Sequence, residues 1–177
     1  MQHMTALFRH TLLLLAVAAC TLCLTACKVS YSFNGASIDY NKTKTIQIAD
    51  FPIRSAYVWG PMQGIFNNEL KDIYANHTRL EQVKRNGDLQ LEGEITNYQQ
   101  RNRSVSSEGY SAQTELILSV NVRFINNTNH QEDFERVFTA SATYETTQSL
   151  NSVQEELVTQ MVKDITEQIF NATVANW

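Results

Sequence analysis

Few side chains in this sequence are of types that do chemistry, and they fall into two groups. The first is a set of cysteines, Cys20, Cys23 and Cys27, which end an apolar N-terminal run. A thiol there, preceded by small residues, is the group an acyl-transfer system needs: the sulfur takes a diacylglycerol and the small side chains fit a peptidase. The second is a set of cations, Lys84, Arg85, Arg101, Arg103 and Arg123, in an otherwise acidic chain. Arginine forks bind phosphate oxygens bidentately and lysine binds them as a point charge, so such a cluster is a candidate phosphate-binding patch. The bland reading of each cation is a surface charge paired with a nearby acid.

Other chemistry is missing from the sequence pattern. There is no nucleophile elbow with His and Asp partners, no phosphate-cradling glycine loop, no HExxH and no cysteine nucleophile. The acid pairs Glu92/Glu94 and Glu155/Glu156 read as solvated faces. An enzyme is not expected, nor a cofactor. After removal of residues 1–26 the chain keeps 151 residues, 13 basic and 18 acidic side chains, and only His77 and His130. A His/Cys metal site is not expected from that set. The acidic balance argues against a nucleic-acid partner held by a global positive field.

The N-terminus reads as an export signal. Arg9 is the only formal charge before Lys28, and residues 11–26 are an apolar run with small residues at its end. The run falls short of the roughly 20 residues a spanning helix needs, so a retained membrane span is the lesser alternative. The ending Leu24-Thr25-Ala26-Cys27 resembles a bacterial lipobox. Val17-Ala18-Ala19-Cys20 also fits that pattern, but cutting there shortens the apolar run and leaves Cys23 and Cys27 as free thiols in an oxidising compartment. Cys27 is therefore the expected lipidation site. Two or more acyl chains on it, at about 0.8 kcal/mol per buried methylene, anchor a protein stably. Lys28 after the cysteine fits outer-membrane delivery, facing the periplasm.

These expectations divide the chain into a signal (residues 1–26), an acylated tether (27–44) and a single domain (45–177). Within the domain, residues 45–51 alternate and end at Pro52, which reads as a strand. Pro61 opens a helix whose stripe is Met62, Ile65, Phe66, Leu70, Ile73 and His77. A short strand at Leu80–Val83 is followed by Asn86-Gly87-Asp88, a hairpin-type turn signal. Leu89, Leu91, Gly93 and Ile95 line one face of the next strand, where Gly93 suggests a bulge or a close approach by a helix. Arg101 and Arg103 share a face if that strand continues past Tyr98. Residues 99–113 read as a loop or extended hairpin tip. Leu116 to Phe124 and Phe134 to Tyr144 alternate as two further strands, with Arg123 outward. Ser152-Val-Gln-Glu155 reads as a capping box before a helix with Val153, Leu157, Val158, Met161, Val162, Ile165 and Ile169 on its stripe. The order β-α-β-β-β-β-α implies an α+β fold: two helices on one face of a mixed or mostly antiparallel sheet of four to five strands.

Several pieces in this order resemble one family. They are the lipobox cysteine leading into residues 31–38, the run 45–52, the strand 87–98, the segment 144–157 and the ending 169–177. Together they are similar to the LptE family of lipopolysaccharide-assembly lipoproteins. The resemblance implies a two-helix α+β domain that plugs the outer-membrane barrel LptD and binds lipopolysaccharide (LPS). A plug needs a rigid domain, a polar surface and a lipid tether at the periplasmic rim. On this reading Arg101, Arg103, Arg123, Lys84 and Arg85 are the expected LPS-phosphate contacts. The alternatives are an auxiliary lipoprotein of another envelope complex and, less well supported, a lipid-modifying hydrolase.

Overall fold

The computed structural model describes residues 38–103 and 113–174. Cys27, the signal region and most of the expected tether lie outside the described residues. Five strands and two longer helices follow in the expected order. β1 is Thr45–Ile48, α1 is Pro61–His77, β2 is Glu81–Gln82, β3 is Leu89–Arg103, β4 is Gln113–Asn126, β5 is Phe134–Glu145 and α2 is Leu150–Thr173. The strands form one sheet ordered β2-β1-β3-β4-β5. β1 pairs in parallel with β2 and β3, while β3/β4 and β4/β5 are antiparallel. The fold is the expected α+β one, a mixed five-stranded sheet with two helices packed on it.

The core follows from periodicity. Leu116, Leu118, Val120, Val122 and Phe124 alternate along β4 and are buried beneath the helices. Val158, Met161, Val162, Ile165 and Ile169 bury the facing stripe of α2. The α1 stripe is rotated from the expected one: Met62, Phe66, Leu70 and Tyr74 are buried, with Asn67 beside them, whereas Ile65 and Ile73 are half-buried and His77 is exposed. The four apolar positions are spaced by four residues, so the larger Tyr74 fills the inner row. Its ring meets Phe170 of α2 edge-on at 5.3 Å and its hydroxyl bonds Thr173. Burial pushes that hydroxyl's pKa up. His77 caps the same contact from outside, edge-on to Phe170 at 5.9 Å.

Three local readings are corrected. The Asn86-Gly87 turn does not join a hairpin, because β1 lies between β2 and β3. It carries the chain across the end of β1. Asn86 takes φ 55, and a Cβ on Gly87 would sit 2.6 Å from the backbone nitrogen of Gln47. Helix α2 starts a turn before the expected capping box, with Ser149 at the N-cap; Ser152 lies inside the first turn and its hydroxyl donates to the Ser149 carbonyl at 2.7 Å. The irregularity in β3 is a register shift between Ile95 and Asn97, not at Gly93. At Gly93 the close approach is by β4 and the loop after β1 rather than by a helix: a Cβ there would collide with the carbonyl oxygen of Asn121 and reach 2.5 Å from the Phe51 ring.

Candidate functional site

The outer face of the sheet, opposite the helices, collects most of the candidate residues. β3 runs on past Tyr98 to Arg103, and the extra residue near Thr96 resets its parity. Before the shift Glu92 and Glu94 point outward; after it Asn97, Gln99, Arg101 and Arg103 do. Across from them on β4 lie Arg123, Asn121, Ser119, Ile117, Glu115 and Gln113.

Cations and acids alternate across this face. Arg101 grips Glu115 through Nε at 3.1 Å and Nη2 at 2.6 Å, both on one carboxylate oxygen. The Glu115 side chain is only 11% exposed, against 65% for Arg101. The Arg101 hydrogen bonds hold the Glu115 carboxyl below its usual range; partial burial opposes this, and Ser141 and the Arg103 charge assist it. Arg123 meets Glu92, its direct cross-strand partner, at 3.2 Å. Asn121 donates to Glu135 at 2.9 Å, and Arg54 lies 3.9 Å from Glu94.

The five candidate cations do not form one patch. Arg101 and Arg103 sit together at the far end of β3. Arg123 is eight residues along β4 from Glu115, about 27 Å away at 3.4 Å per residue. Lys84 and Arg85 are exposed in the segment before β3, on the order of 40 Å from Arg101 along the strand. Arg123 has its acid within the domain, whereas Arg103 makes no ion pair among the described residues. Lys84 and Arg85 likewise make no ion pair among the described residues; at the tip Arg103 and the exposed fork of Arg101 lie side by side, with Glu115 and Glu145 on the same face.

The sequence reading missed what lies next to this tip. The loop after β1 runs along the edge of β3, tied by Arg54 N–H to the Ile95 carbonyl at 2.8 Å. It lays Tyr57 on the Tyr98 ring, centroids 5.4 Å apart, and leaves Tyr57 and Val58 exposed. Beneath, the Tyr98 hydroxyl accepts from buried Gln154 at 2.8 Å. Aromatic residues in the loop were visible in the sequence; their placement on β3 follows only from the pairing of Ile53 with Ile95.

At the opposite end, residues 38–44 fold against the base of the domain. Ile38 and Tyr40 pack on the core, Arg79 stacks over Tyr40 at 4.4 Å, and Thr43 is buried. A cavity of about 730 Å³ lies here, among Asp39, Asn126, Thr128, Glu132 and Asp133 and the end of α2. Its polar side chains are spent on the turn itself: Asn126 accepts from Thr128 and donates to Glu132, and Asp133 accepts from Asn126 N–H at 2.7 Å. Among the described residues no cluster of His, Cys, Asp or Glu has a metal-binding arrangement, and no helix is long and apolar enough to cross a membrane.

A family model described as lipopolysaccharide-assembly, LptE, matches residues 43–173. The chain belongs to the LptE family. Its role is thus lipopolysaccharide assembly, and the family is not one of enzymes. Solved structures share the fold at low identity. A hypothetical protein from Chlamydia trachomatis superposes with TM-score 0.51 at 11% identity, over 76% of this chain and 99% of that one. A protein from Xanthomonas campestris gives 0.51 at 10%, over 73% and 84%. A minor lipoprotein from Acinetobacter baumannii gives 0.48 at 17%, over 72% and 89%. No curated protein matches the chain.

Proposed function

We propose that the chain is an outer-membrane lipoprotein, acylated at Cys27, that seats in the lumen of an LptD-type barrel and contacts LPS during assembly. The observation that carries this reading is the outer sheet face. It is uncovered by any described element, yet polar and ion-paired, as a surface in a wet lumen must be. The role is assembly, with no catalytic step. Residues 38–44 enter the domain at its base, the end opposite the Arg101/Arg103 tip, and Cys27 precedes Ile38 by eleven residues. Arg101 and Arg103 are the proposed contacts for LPS phosphates. Arg123, Lys84 and Arg85 are separate from them, and no single phosphate group spans the set.

The test is a mild-detergent pull-down with a C-terminal tag, with mass spectrometry of the retained proteins and of the N-terminal peptide. A stoichiometric large barrel and an acylated Cys27 are expected. Acylated Cys27 without a barrel would transfer the chain to another envelope complex. In the same preparation, Arg101→Glu with Arg103→Glu is expected to weaken LPS binding at least tenfold while the barrel stays bound. Unchanged LPS binding would remove the tip as the contact.

A further inference from the structure

Large apolar side chains that stay exposed are few among the described residues, and two of them are neighbours. They are Tyr57 at 45% and Val58 at 57%; the third, Val137, stands apart on β5. Tyr57 and Val58 form a knuckle at the edge of β3, and the backbone holds it in place. Arg54 N–H bonds the Ile95 carbonyl, and the Ser55 hydroxyl donates to the Tyr57 carbonyl at 2.5 Å. Trp59, the next residue, turns back to pack on the core. Tyr57 lies on the Tyr98 ring and is still nearly half exposed, and Val58 is no part of the core. A fixed loop that keeps apolar side chains in solvent, rimmed by polar groups, has the character of a binding feature.

Its position indicates what it binds. Among the described residues no strand pairs with β3 on this side beyond Ile95, so the edge is open from the knuckle to the tip. Tyr98, under Tyr57, faces the helices. Arg101, three residues on and about 10 Å along the strand, faces outward with Arg103. A ligand laid across the edge therefore meets apolar surface on one side and guanidinium groups on the other. The guanidinium groups alone make a weak hold, because Glu115 and Glu145 share their face. Burial of apolar surface is favourable whatever the local charge, so the knuckle supplies what the charges lack. The ligand that fits is an anionic amphiphile with phosphates at one end and hydrocarbon at the other. We propose that Tyr57 and Val58 hold the acyl chains of an LPS molecule whose phosphates lie on Arg101 and Arg103, so that the lipid straddles the open edge of β3. This rests on the reading of the tip as an LPS contact and adds the site of the hydrocarbon.

The test measures binding of the surface-captured full-length chain to LPS and to the same LPS stripped of its acyl chains by alkali, which keeps the sugars and phosphates. Detergent is held below its micelle concentration so that it does not compete for the chains. The native chain is expected to hold intact LPS about tenfold more tightly than the deacylated form. Tyr57→Ser with Val58→Ser should abolish that difference, weakening intact LPS about tenfold and leaving deacylated LPS unchanged. Because Tyr57 also covers Tyr98, Val58→Asp tests the knuckle without touching that stack. It should weaken intact LPS about threefold with circular dichroism and Tm unchanged. A native chain that binds neither ligand would remove the LPS-contact reading and this proposal together. Equal affinity for the two ligands, or equal loss of both in the double variant, would overturn the proposal alone and leave the LPS reading standing. So would a double variant that keeps intact LPS but releases the barrel in the pull-down, which would make the knuckle a barrel contact.

Discussion

Gly93→Ala isolates one contact that the sheet cannot rearrange. Gly93 lies opposite buried Val122 in the β3/β4 ladder, on the inner face beside Phe51. An added Cβ collides with the Asn121 carbonyl oxygen and comes 2.5 Å from Cε1 of Phe51. The first is backbone in a strand paired on both edges. The second is a fully buried ring, held against Phe66 with centroids 5.2 Å apart. Neither is the free end of a flexible side chain, so relief requires β3 and β4 to separate locally or Phe51 to leave its place. Overpacking a core by one methyl group costs about 1–3 kcal/mol, and two rigid neighbours put this case at the upper end, about 3 kcal/mol. For a domain of this size each kcal/mol lowers Tm by about 2–4 °C. Thermal unfolding followed by circular dichroism should therefore show a fall of about 10 °C with the native spectrum retained. A Tm within 2 °C of the parent would refute the close approach, and with it the placement of Phe51 against β3.

Two further outcomes follow from hydrogen bonds that tie β1 to the rest of the domain. Asn67, 7% exposed, accepts from Phe51 N–H at 2.8 Å and donates to the Phe51 carbonyl, so a helix side chain completes the backbone pairing where β1 ends. Asn67→Ala leaves both groups buried and unpaired, which costs about 2 kcal/mol; urea titration should show that loss as a lower midpoint at unchanged slope, and a loss under 0.5 kcal/mol would contradict it. Asp88 accepts from Lys44 N–H, Thr45 N–H and the Thr45 hydroxyl at 2.8–3.0 Å, and these bonds, Lys44 N–H foremost and against a smaller effect of burial, hold its carboxyl below the ordinary range. A depressed folded value means that its stabilisation is complete above the unfolded value of about 4 and is lost as pH falls through the folded one. The parent should exceed Asp88→Asn by about 1 kcal/mol at pH 7, the gap closing on acidification below pH 4; a gap independent of pH would show that the charge is not what the bonds recognise.

The element order was legible because each element carries a strong period. The four-residue spacing in α1 and the unbroken alternation of β4 leave little choice of structure, and the two helices on a mixed sheet follow from their order. What the local pattern could not supply was pairing. Asn86-Gly87 is the same dipeptide in a hairpin and in a crossing turn, and only the insertion of β1 between β2 and β3 decides which it is. Tyr74 and Asn67 took inner positions on α1 because Phe170 and the Phe51 backbone offered them partners more than a dozen residues away in sequence. The cations were visible as residue types, but their separation by tens of ångströms is a property of strand length and register.

The single shift at Thr96 shows how much of the site rests on such register. Counted from Leu89 with a strict period of two, Arg101 and Arg103 fall on the same face as Leu91 and Ile95, beneath the helices. The extra residue between Ile95 and Asn97 moves Tyr98 inward, where its hydroxyl meets Gln154, and turns both arginines outward to Glu115 and solvent. Without it the guanidinium groups would face the core side, where an unpaired charge is costly. Tyr98 would take the outer face, away from Gln154. The shift therefore settles two demands at once. It lets the inner half of β3 follow the core and turns the arginines of its last residues to the outer face, at the end opposite residues 38–44. Polar and charged cross-strand pairs run the length of this face, and at its end the two arginines share it with Glu115 and Glu145.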